Sequence, residues 1–523
     1  MKLSIAIIVL VATLHVSASL SVGSKVFSLS PLAEKKKKMV CYYGSWAVYR
    51  PGAGKFDVED LDPFICTHII YGFAGLGYDN TIISLDPYND LPENWGKGAM
   101  VRFTGLKSQN PELKAILAIG GWNEGSEKYS KMVSIPSERA KFTSSVVEFL
   151  LKYNFDGLDF DWEYPANRGG VQSDKENFIH MIEELKTAFA PHGLMLTAAV
   201  SAGKTTIDTG YDVPAMNRIL DQIHLMAYDF HGAWEDFTGH NSPLYSNELD
   251  YGEFVTFNQD FAVNYWIENG ADPSKLILGM GLYGRGFVLN NPADNGFYAG
   301  ANQPITAGPY KRNIVYRYTR EAGIWGYNEV CEKFAAEPGL WTVVVDPFYM
   351  SPYAYKGNQW IGYDDQQSLK TKAQYAASKG LGGAMVWSVE TDDFHGTCHG
   401  NPFILVKTIF ETLNGPIIYP SPPTDDPNHT TTGAGELTTG KYSTTTSPRP
   451  TTVTPPPNQT CQSEGYFPDP SDCGKYYLCV ANGNEWIIYN YECGAGTVFD
   501  PSLNNCNFPY NVPGCENYPG KGN

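Results

Sequence analysis

The sequence predicts an α/β fold, a (β/α)8 TIM barrel with an inserted small α/β subdomain, followed by a small disulfide-rich β module. Three observations support this prediction. Short apolar runs alternate with helical patterns, a long gap interrupts the alternation before its last strand, and six of the ten cysteines crowd the end of the chain. Strands that alternate with helices form parallel sheets, and about eight of them favour a closed barrel.

The predicted barrel strands are the apolar, β-rich runs at residues 40–43, 68–73, 115–119, 157–161, 195–200, 222–228, 276–281 and 384–388. Helical patterns, such as residues 137–153 and 175–189, lie between several of them. A doubly wound open sheet is the alternative architecture. It is disfavoured because no Gly-rich phosphate loop follows an early strand.

The gap between the seventh and eighth runs is too long for a simple helical crossover. It contains further strand-like segments at 314–318, 339–345 and 360–363. We therefore expect a barrel domain over 39–415, with an α/β insertion at about 286–375.

Composition excludes some classes of partner. The net charge is −18, which argues against nucleic acid or an anionic membrane, because both attract clustered Lys and Arg. A neutral substrate fits better. Aromatic residues make up 14% of the chain, and most of these rings are expected in the core.

The first 18 residues read as a signal peptide. Lys2 supplies positive charge, the apolar run at 5–14 is too short to span a bilayer, and 16–18 is a small-residue cleavage pattern. We expect a secreted, extracellular protein, monomeric and not bound to a membrane.

Two segments follow the predicted barrel. Residues 416–460 are rich in Pro, Ser and Thr, contain sequons at Asn428 and Asn458, and read as a linker. Residues 461–523 form the cysteine-dense module, which is too short for a strong core and would depend on disulfides. No paired C-x-x-C motifs suggest zinc. We expect neither a metal nor a cofactor.

The segment 155–165 carries the chemistry. Side chains alternate along a strand, so Asp159, Asp161 and Glu163 would face one way, and the apolar Leu158 and Phe160 the other. Inside a barrel, the acids would line the interior and rise toward the C-terminal mouth. The spacing alone is weak evidence for a catalytic site, and the alternative is an exposed strand with one solvated acidic face. An apolar context at the end of a buried strand favours the interior.

Crowded carboxyls cannot all ionise, so at least one holds a proton at a pH where it would ordinarily be charged. Glu163, at the strand end, is placed to give that proton to a leaving oxygen, as in glycoside hydrolysis. The titration of the three acids would be coupled.

Here the sequence resembles glycoside hydrolase family 18, in particular the insect and animal endochitinases. The signature D-x-x-D-x-D-x-E is matched by Asp156, Asp159, Asp161 and Glu163. Further resemblance lies in residues 41–46, 71–74, 118–122, 226–232, 281–285 and 382–388. The resemblance implies hydrolysis of β-1,4-linked N-acetylglucosamine with retention, in which the substrate acetamide is the nucleophile. By the resemblance, Glu163 would be the general acid. Asp161 would orient the acetamide and share a proton with Asp159, and Tyr228 would hydrogen-bond the acetamide carbonyl.

The resemblance also implies a set of sugar-contacting residues. Trp387 would lie under the sugar at the cleavage point, and Trp46, Trp122 and Trp234 would line flanking subsites. The others implied are Pro87, Tyr88, Gly120, Gly121, Asn123, Tyr164, Met226, Ala227, Asp229, Tyr283 and Arg285.

The six-cysteine tail resembles the peritrophin-A type of chitin-binding domain, with aromatic residues between its cysteines. The two resemblances imply the disulfides Cys41–Cys66, Cys331–Cys398, Cys461–Cys479, Cys473–Cys515 and Cys493–Cys506. Sequence alone permits 15 pairings of six cysteines. The expected partners are chitin and chitooligosaccharides.

Three other functions compete with an endochitinase. One is a catalytically silent chitin-binding lectin, but such proteins usually lose the glutamate that this chain keeps at 163. Another is a structural protein of a chitin matrix, which would leave the acidic strand unused. The third is an endo-N-acetylglucosaminidase acting on N-glycans, which a chitin-binding tail argues against.

Overall fold

The computed structural model describes residues 36–305, 318–419 and 461–515, the last range without 462, 464, 483–484, 494–497, 502–504, 508 and 510–511. The chain divides into two compact units, residues 1–422 and residues 423–523. Within the described ranges, no helix combines the length and apolarity needed to cross a bilayer. The expected signal peptide, the sequons, residues 420–460 of the expected linker and residues 314–317 of a strand-like segment lie outside the described residues.

The first unit is a closed barrel of eight parallel strands, as predicted. The strands are β1 Lys38–Gly44, β2 His68–Leu76, β3 Lys114–Gly120, β4 Gly157–Asp161, β5 Met195–Ser201, β6 Gln222–Met226, β7 Leu276–Gly281 and β8 Gly383–Trp387. The barrel closes because β1 pairs with both of its neighbours: Val40 lies opposite His68 of β2 and Met385 of β8. A short strand, Ile82–Ser84, extends β2 in an antiparallel hairpin.

Helices cover the outside of the barrel. The α-helices of this unit are Pro87–Asp90, Ala99–Gly105, Glu127–Val133, Pro136–Lys152, Asp174–Phe189, Lys204–Gly210, Val213–Ile219, Gln259–Glu268, Tyr327–Ala336, Gln366–Ser378 and Ile404–Asn414. The connection from β1 to β2 contains only 3-10 turns. The outer core packs strand residues such as Phe160 against Phe142 and Phe178 of two helices.

A separate apolar cluster fills the interior of the barrel. It contains Tyr42, Ile70, Ile116, Ala118 and other buried residues of the inward strand faces. Partly buried rings and Met side chains border this cluster, among them Phe73, Met226, Tyr228 and Trp387. The barrel is therefore a packed core whose top is formed by side chains at the carboxyl ends of its strands.

The insertion between β7 and β8 is an antiparallel sheet with one helix. Its strands are Tyr283–Leu289, Ala301–Pro304, Ile324–Gly326, Thr342–Asp346, Ser351–Lys356 and Gln359–Gly362, and its helix is Tyr327–Ala336. Strand Tyr283–Leu289 begins two residues after β7 ends, so the insertion rises directly from the mouth of the barrel.

The second unit is small and rich in β-structure. Its strands are Gly465–Pro468, Lys475–Asn482 and Glu485–Glu492 in one antiparallel sheet, with Val498–Asp500 and Asn505–Asn507 as a separate pair. Tyr477 is buried, Tyr476 stacks on Phe499 with ring centroids 4.5 Å apart, and Trp486 is 41% exposed. The side chains of Tyr466 and Tyr489 lie outside the described set.

Four disulfides are described, and each joins a pair that the family resemblance implies. They are Cys41–Cys66, Cys331–Cys398, Cys461–Cys479 and Cys473–Cys515. Cys493 is also disulfide-bonded, but the side chain of Cys506, its implied partner, lies outside the described side chains.

Candidate active site

Three carboxyl groups follow one another along the inner face of β4 and its end. All five residues of β4 are buried. Leu158 and Phe160 belong to the outer core, as does Trp162, which follows the strand and donates a hydrogen bond from Nε1 to Ser126 Oγ at 3.0 Å. The alternation of side chains therefore turns the acids inward.

Asp159, the lowest acid, is fully buried and fully engaged. Its Oδ2 accepts a hydrogen bond from the Tyr42 hydroxyl at 2.5 Å, and its Oδ1 accepts one from Thr197 Oγ1 at 2.6 Å. His224 Nδ1 lies 3.0 Å from Oδ1. These groups come from β1, β5 and β6, so the barrel itself assembles a polar socket for one carboxylate.

Asp161 has fewer hydrogen-bond partners than Asp159. Its side chain is 4% exposed, and its Oδ1 has no hydrogen-bond partner among the described residues. Burial raises the pKa of Asp161 well above its usual 3.8, and the charges of Glu163 and then Asp159 raise it further. This carboxyl therefore holds a proton readily and retains an oxygen able to accept a hydrogen bond from a ligand.

Glu163 lies just beyond the strand, at the mouth. Burial raises its pKa from 4.5 to about 7, and Asp229 adds to the rise, whereas Tyr164 and Arg168 oppose it. Because a general acid needs a pKa near the working pH, Glu163 can deliver a proton at mildly acidic to neutral pH.

Aromatic rings form one wall of the mouth. Trp387, at the end of β8, packs edge-on to Tyr42 at 5.5 Å and face-to-face with Phe73 at 5.8 Å. Trp46 continues the stack at 6.1 Å from both Phe73 and Trp387 and is 42% exposed. The sequence-predicted Trp46 and Trp387 are thus neighbours in one aromatic cluster, their ring planes inclined by 43°.

Trp122 stands on the β3 side of the mouth. It follows Gly120 and Gly121, whose φ angles are +116° and +85°, and a Cβ at Gly120 would lie 2.0 Å from the Asp161 carbonyl oxygen. Only glycine tolerates this close approach of two strand ends. Trp122 and Asn123 are exposed, Trp122 to 60%.

The β6 side carries Tyr228, which follows Met226 and the fully buried Ala227. The Tyr228 hydroxyl lies 3.8 Å from the sulfur of Met385. Burial raises the pKa of Tyr228 well above 10, so its hydroxyl keeps its proton and remains a hydrogen-bond donor.

Asp229 anchors the strand that leaves β7. Its Oδ1 accepts hydrogen bonds from the Tyr283 hydroxyl at 2.6 Å and Arg285 Nε at 2.8 Å. The Arg285 guanidinium lies over the ring of Trp234 at 4.9 Å, and Trp234 is 60% exposed. The family resemblance implies that these four residues contact the sugar chain, and the structure brings them into one network.

Pro87 and Tyr88 lie in the short helix Pro87–Asp90. Tyr88 is 60% exposed, and the Lys97 ammonium lies over its ring and over that of Tyr49, 5.4 Å from each centroid. None of the contacts described for the pair joins them to the acids.

Sequence reasoning did not single out the socket of Asp159 or the cation beside Glu163. Tyr42, Thr197 and His224 occupy inward positions of their strands, so the alternation applied to β4 could have found them on β1, β5 and β6. Arg168 lies in a loop, where no periodic pattern marks it.

The His, Cys, Asp and Glu side chains of the described residues make one grouping of metal-binding size, Cys331, Asp393 and Cys398. Its two sulfurs are joined to each other. They are therefore not free thiolates, the form in which cysteine binds metals.

A barrel with buried acids at its C-terminal mouth, walled by exposed tryptophans, defines the class of carbohydrate-active TIM-barrel enzymes. Residues 38–392 match the family described as "Glycosyl hydrolases family 18", and residues 461–515 match "Chitin binding Peritrophin-A domain". The chain belongs to glycosyl hydrolase family 18 and carries a peritrophin-A domain.

Curated relatives match over much of their length. The "Endochitinase" of Manduca sexta is 36% identical, over 96% of this chain and 98% of that protein. "Probable chitinase 2" of Drosophila melanogaster is 43% identical over 69% and 73%. Among solved structures, the Ostrinia furnacalis Group IV chitinase in complex with allosamidin is 44% identical with a TM-score of 0.67, covering 71% of this chain and 97% of that one.

Proposed function

We propose that this protein is an endochitinase that cleaves β-1,4-linked N-acetylglucosamine with retention, using Glu163 as the general acid and then as the base. The observation that carries the proposal is the row of acids on the inner face of β4, where Asp159 and Asp161 are buried and Glu163 follows at the mouth. Burial raises the pKa of Glu163 to about 7. A carboxyl that stays protonated at the mouth of a cleft is what departure of a sugar oxygen requires.

The nucleophile is the acetamide of the substrate itself, as in the substrate-assisted members of the family. Its carbonyl oxygen attacks the anomeric carbon of the same sugar while Glu163 protonates the leaving oxygen. The resulting oxazolinium-like intermediate is opened by a water that Glu163 deprotonates. Two successive inversions at the anomeric carbon retain its configuration.

Asp161 and Tyr228 hold the acetamide in the attacking position. The unpartnered Oδ1 of Asp161 accepts the acetamide N–H, and the Tyr228 hydroxyl donates to the acetamide carbonyl. Asp159, fixed by Tyr42 and Thr197, exchanges a proton with Asp161 as charge develops. Such positioning lowers the barrier because the reacting groups are already aligned.

The aromatic walls bind the sugar chain. Trp387 lies under the sugar at the cleavage point, and Trp46, Trp122 and Trp234 bind flanking sugars. The remaining cleft residues carried over from the family are Pro87, Tyr88, Gly120, Gly121, Asn123, Tyr164, Met226, Ala227, Asp229, Tyr283 and Arg285. An exposed ring offers a flat apolar face to a pyranose.

The tail tethers the catalytic domain to insoluble chitin. We assign residues 39–415 to catalysis, 416–460 to a linker and 461–523 to chitin binding. Tethering raises the local concentration of the catalytic domain at the polymer surface. The disulfides of both units suit an oxidising compartment, so secretion is part of the proposal.

The decisive test is to incubate the purified full chain with N-acetylglucosamine oligomers and to identify the products and their anomeric form. An endochitinase releases internal fragments with retained configuration, whereas a lectin or a matrix protein releases none. Glu163→Gln should abolish cleavage but keep binding. Turnover of this variant near that of the wild type would refute the assigned role of Glu163.

The tail is tested by removing residues from 461 onward. We expect lower activity on particulate chitin and unchanged activity on soluble oligomers, because soluble substrates need no tether. Trp486→Ala is a matched point variant, since this ring is 41% exposed on the module. An equal loss on both substrates would argue against tethering.

A further inference from the structure

Arg168 occupies a position that the mechanism above does not use. It lies in the loop after β4 with φ +49°, in the left-handed region. Its guanidinium carbon lies 3.4 Å from the centroid of the Trp122 ring. Its Nη1 donates a hydrogen bond to the Glu163 carbonyl oxygen at 3.0 Å, and its Nη2 donates to the Trp122 carbonyl oxygen at 3.1 Å. One side chain therefore links the β3 loop to the β4 loop.

The stack covers one face of the Trp122 ring only. Because Trp122 is still 60% exposed, its other face remains open to a ligand. An exposed tryptophan without such a partner would sample several rotamers, and each would have to be given up when a sugar binds. A planar guanidinium on the rear face preorganises the ring at little cost, since its own geometry is rigid.

We propose that Arg168 is a positioning residue of the cleft, which fixes Trp122 as a sugar-binding wall and supplies the positive charge that faces Glu163. The inference rests on the proposed function and deepens it. It assigns to one exposed side chain both a contribution to substrate affinity and a contribution to the pH range of the enzyme.

The electrostatic part follows from the groups around Glu163. Those that interact with its charge come from β4, from the loops after β4 and β6, and from the helical segment after β5; they are Asp161, Tyr164, Arg168, Tyr211, Tyr228 and Asp229. Arg168 is the cation of this set. Its charge lowers the pKa of Glu163 against the rise that burial causes, so removing it should keep Glu163 protonated to higher pH.

Two substitutions separate the two contributions. Arg168→Lys keeps the charge but loses the planar stack, whereas Arg168→Gln loses both. Steady-state cleavage of a soluble N-acetylglucosamine oligomer is measured with the full chain across pH. Arg218→Gln is the matched control, since Arg218 is exposed on the helix Val213–Ile219.

We expect Arg168→Lys to raise KM about two- to fivefold with an unchanged pH profile. Arg168→Gln should raise KM similarly and also move the alkaline limb of kcat upward by about half a pH unit, a shift that shrinks in ~1 M salt. In a Trp122→Ala background, Arg168→Lys should have no further effect on KM, because the two side chains act as one unit.

A wild-type KM in Arg168→Lys, or a wild-type alkaline limb in Arg168→Gln at low salt, would overturn the inference. An additive effect of Arg168→Lys in the Trp122→Ala background would do the same. These results leave the proposed function standing, because that function is tested separately, by the products that the wild-type chain releases and by the turnover of Glu163→Gln.

Discussion

Glu163→Gln should make the protein more stable at pH 8 while it removes activity. Burial raises the pKa of Glu163 from 4.5 to about 7, so the folded state binds this proton more tightly than the unfolded state does. Stability therefore falls as the pH rises through this window, and the loss is complete above pH 7. Glutamine is neutral at every pH and escapes this cost.

The magnitude follows from the two pKa values. The change from 4.5 to about 7 is a factor of ~300 in proton affinity, which corresponds to about 3 kcal/mol. At about 2.1 cal/mol/K per residue, a domain of this size would gain about 4 °C in Tm. Near pH 4, where Glu163 is mostly protonated in both states, wild type and variant should differ little.

Unfolding is followed by tryptophan fluorescence in urea and by calorimetry, from pH 4 to pH 8. Glu183→Gln is the matched control, because Glu183 is exposed on the helix Asp174–Phe189. A stability gain of Glu163→Gln that is the same at pH 4 and pH 8 would show that buried charge is not its cause. A variant less stable than the wild type at pH 8 would refute the reasoning outright.

Two further variants test other parts of the fold. Tyr42→Phe removes the hydroxyl that donates a hydrogen bond to Asp159 at 2.5 Å. It should lower kcat about 10- to 100-fold with little change in KM. Tyr43→Phe is its control, since the Tyr43 hydroxyl is buried with no hydrogen-bond partner among the described residues. Equal kcat values for the two variants would contradict a role of Tyr42. Replacing Cys331 and Cys398 together by Ser opens a 67-residue loop and should cost about 4 kcal/mol of unfolding free energy, measured by urea denaturation; an unchanged midpoint would contradict this.

The barrel and its acidic strand could be predicted from the sequence because both are local patterns. The predicted strand at 157–161 coincides with β4, and the inward turn of its acids follows from alternation alone. The strand predicted at 222–228 was two residues too long. The strand ends at Met226, and Asp229 has φ +59°, because a hydrogen bond from its backbone N–H to Asn241 Oδ1 redirects the chain.

The socket of Asp159 could not be predicted in the same way. Tyr42 and His224 lie 117 and 65 residues from Asp159 and reach it only because the sheet closes on itself. The stack of Arg168 on Trp122 depends on two irregular loops. No period in the sequence fixes their approach.

The sequence by itself determined the order of the elements, the inward row of acids, the cysteine-rich tail and the family. Each of these features depends on residue types at short spacings along the chain, so periodicity and motifs are enough to predict it. Only the tertiary structure decided which distant side chains surround each acid. It therefore decided that burial raises the pKa of Glu163 to about 7 and that Oδ1 of Asp161 has no hydrogen-bond partner among the described residues. Proton affinity depends on burial and on charges brought near through space, and chain closure rather than sequence distance sets both.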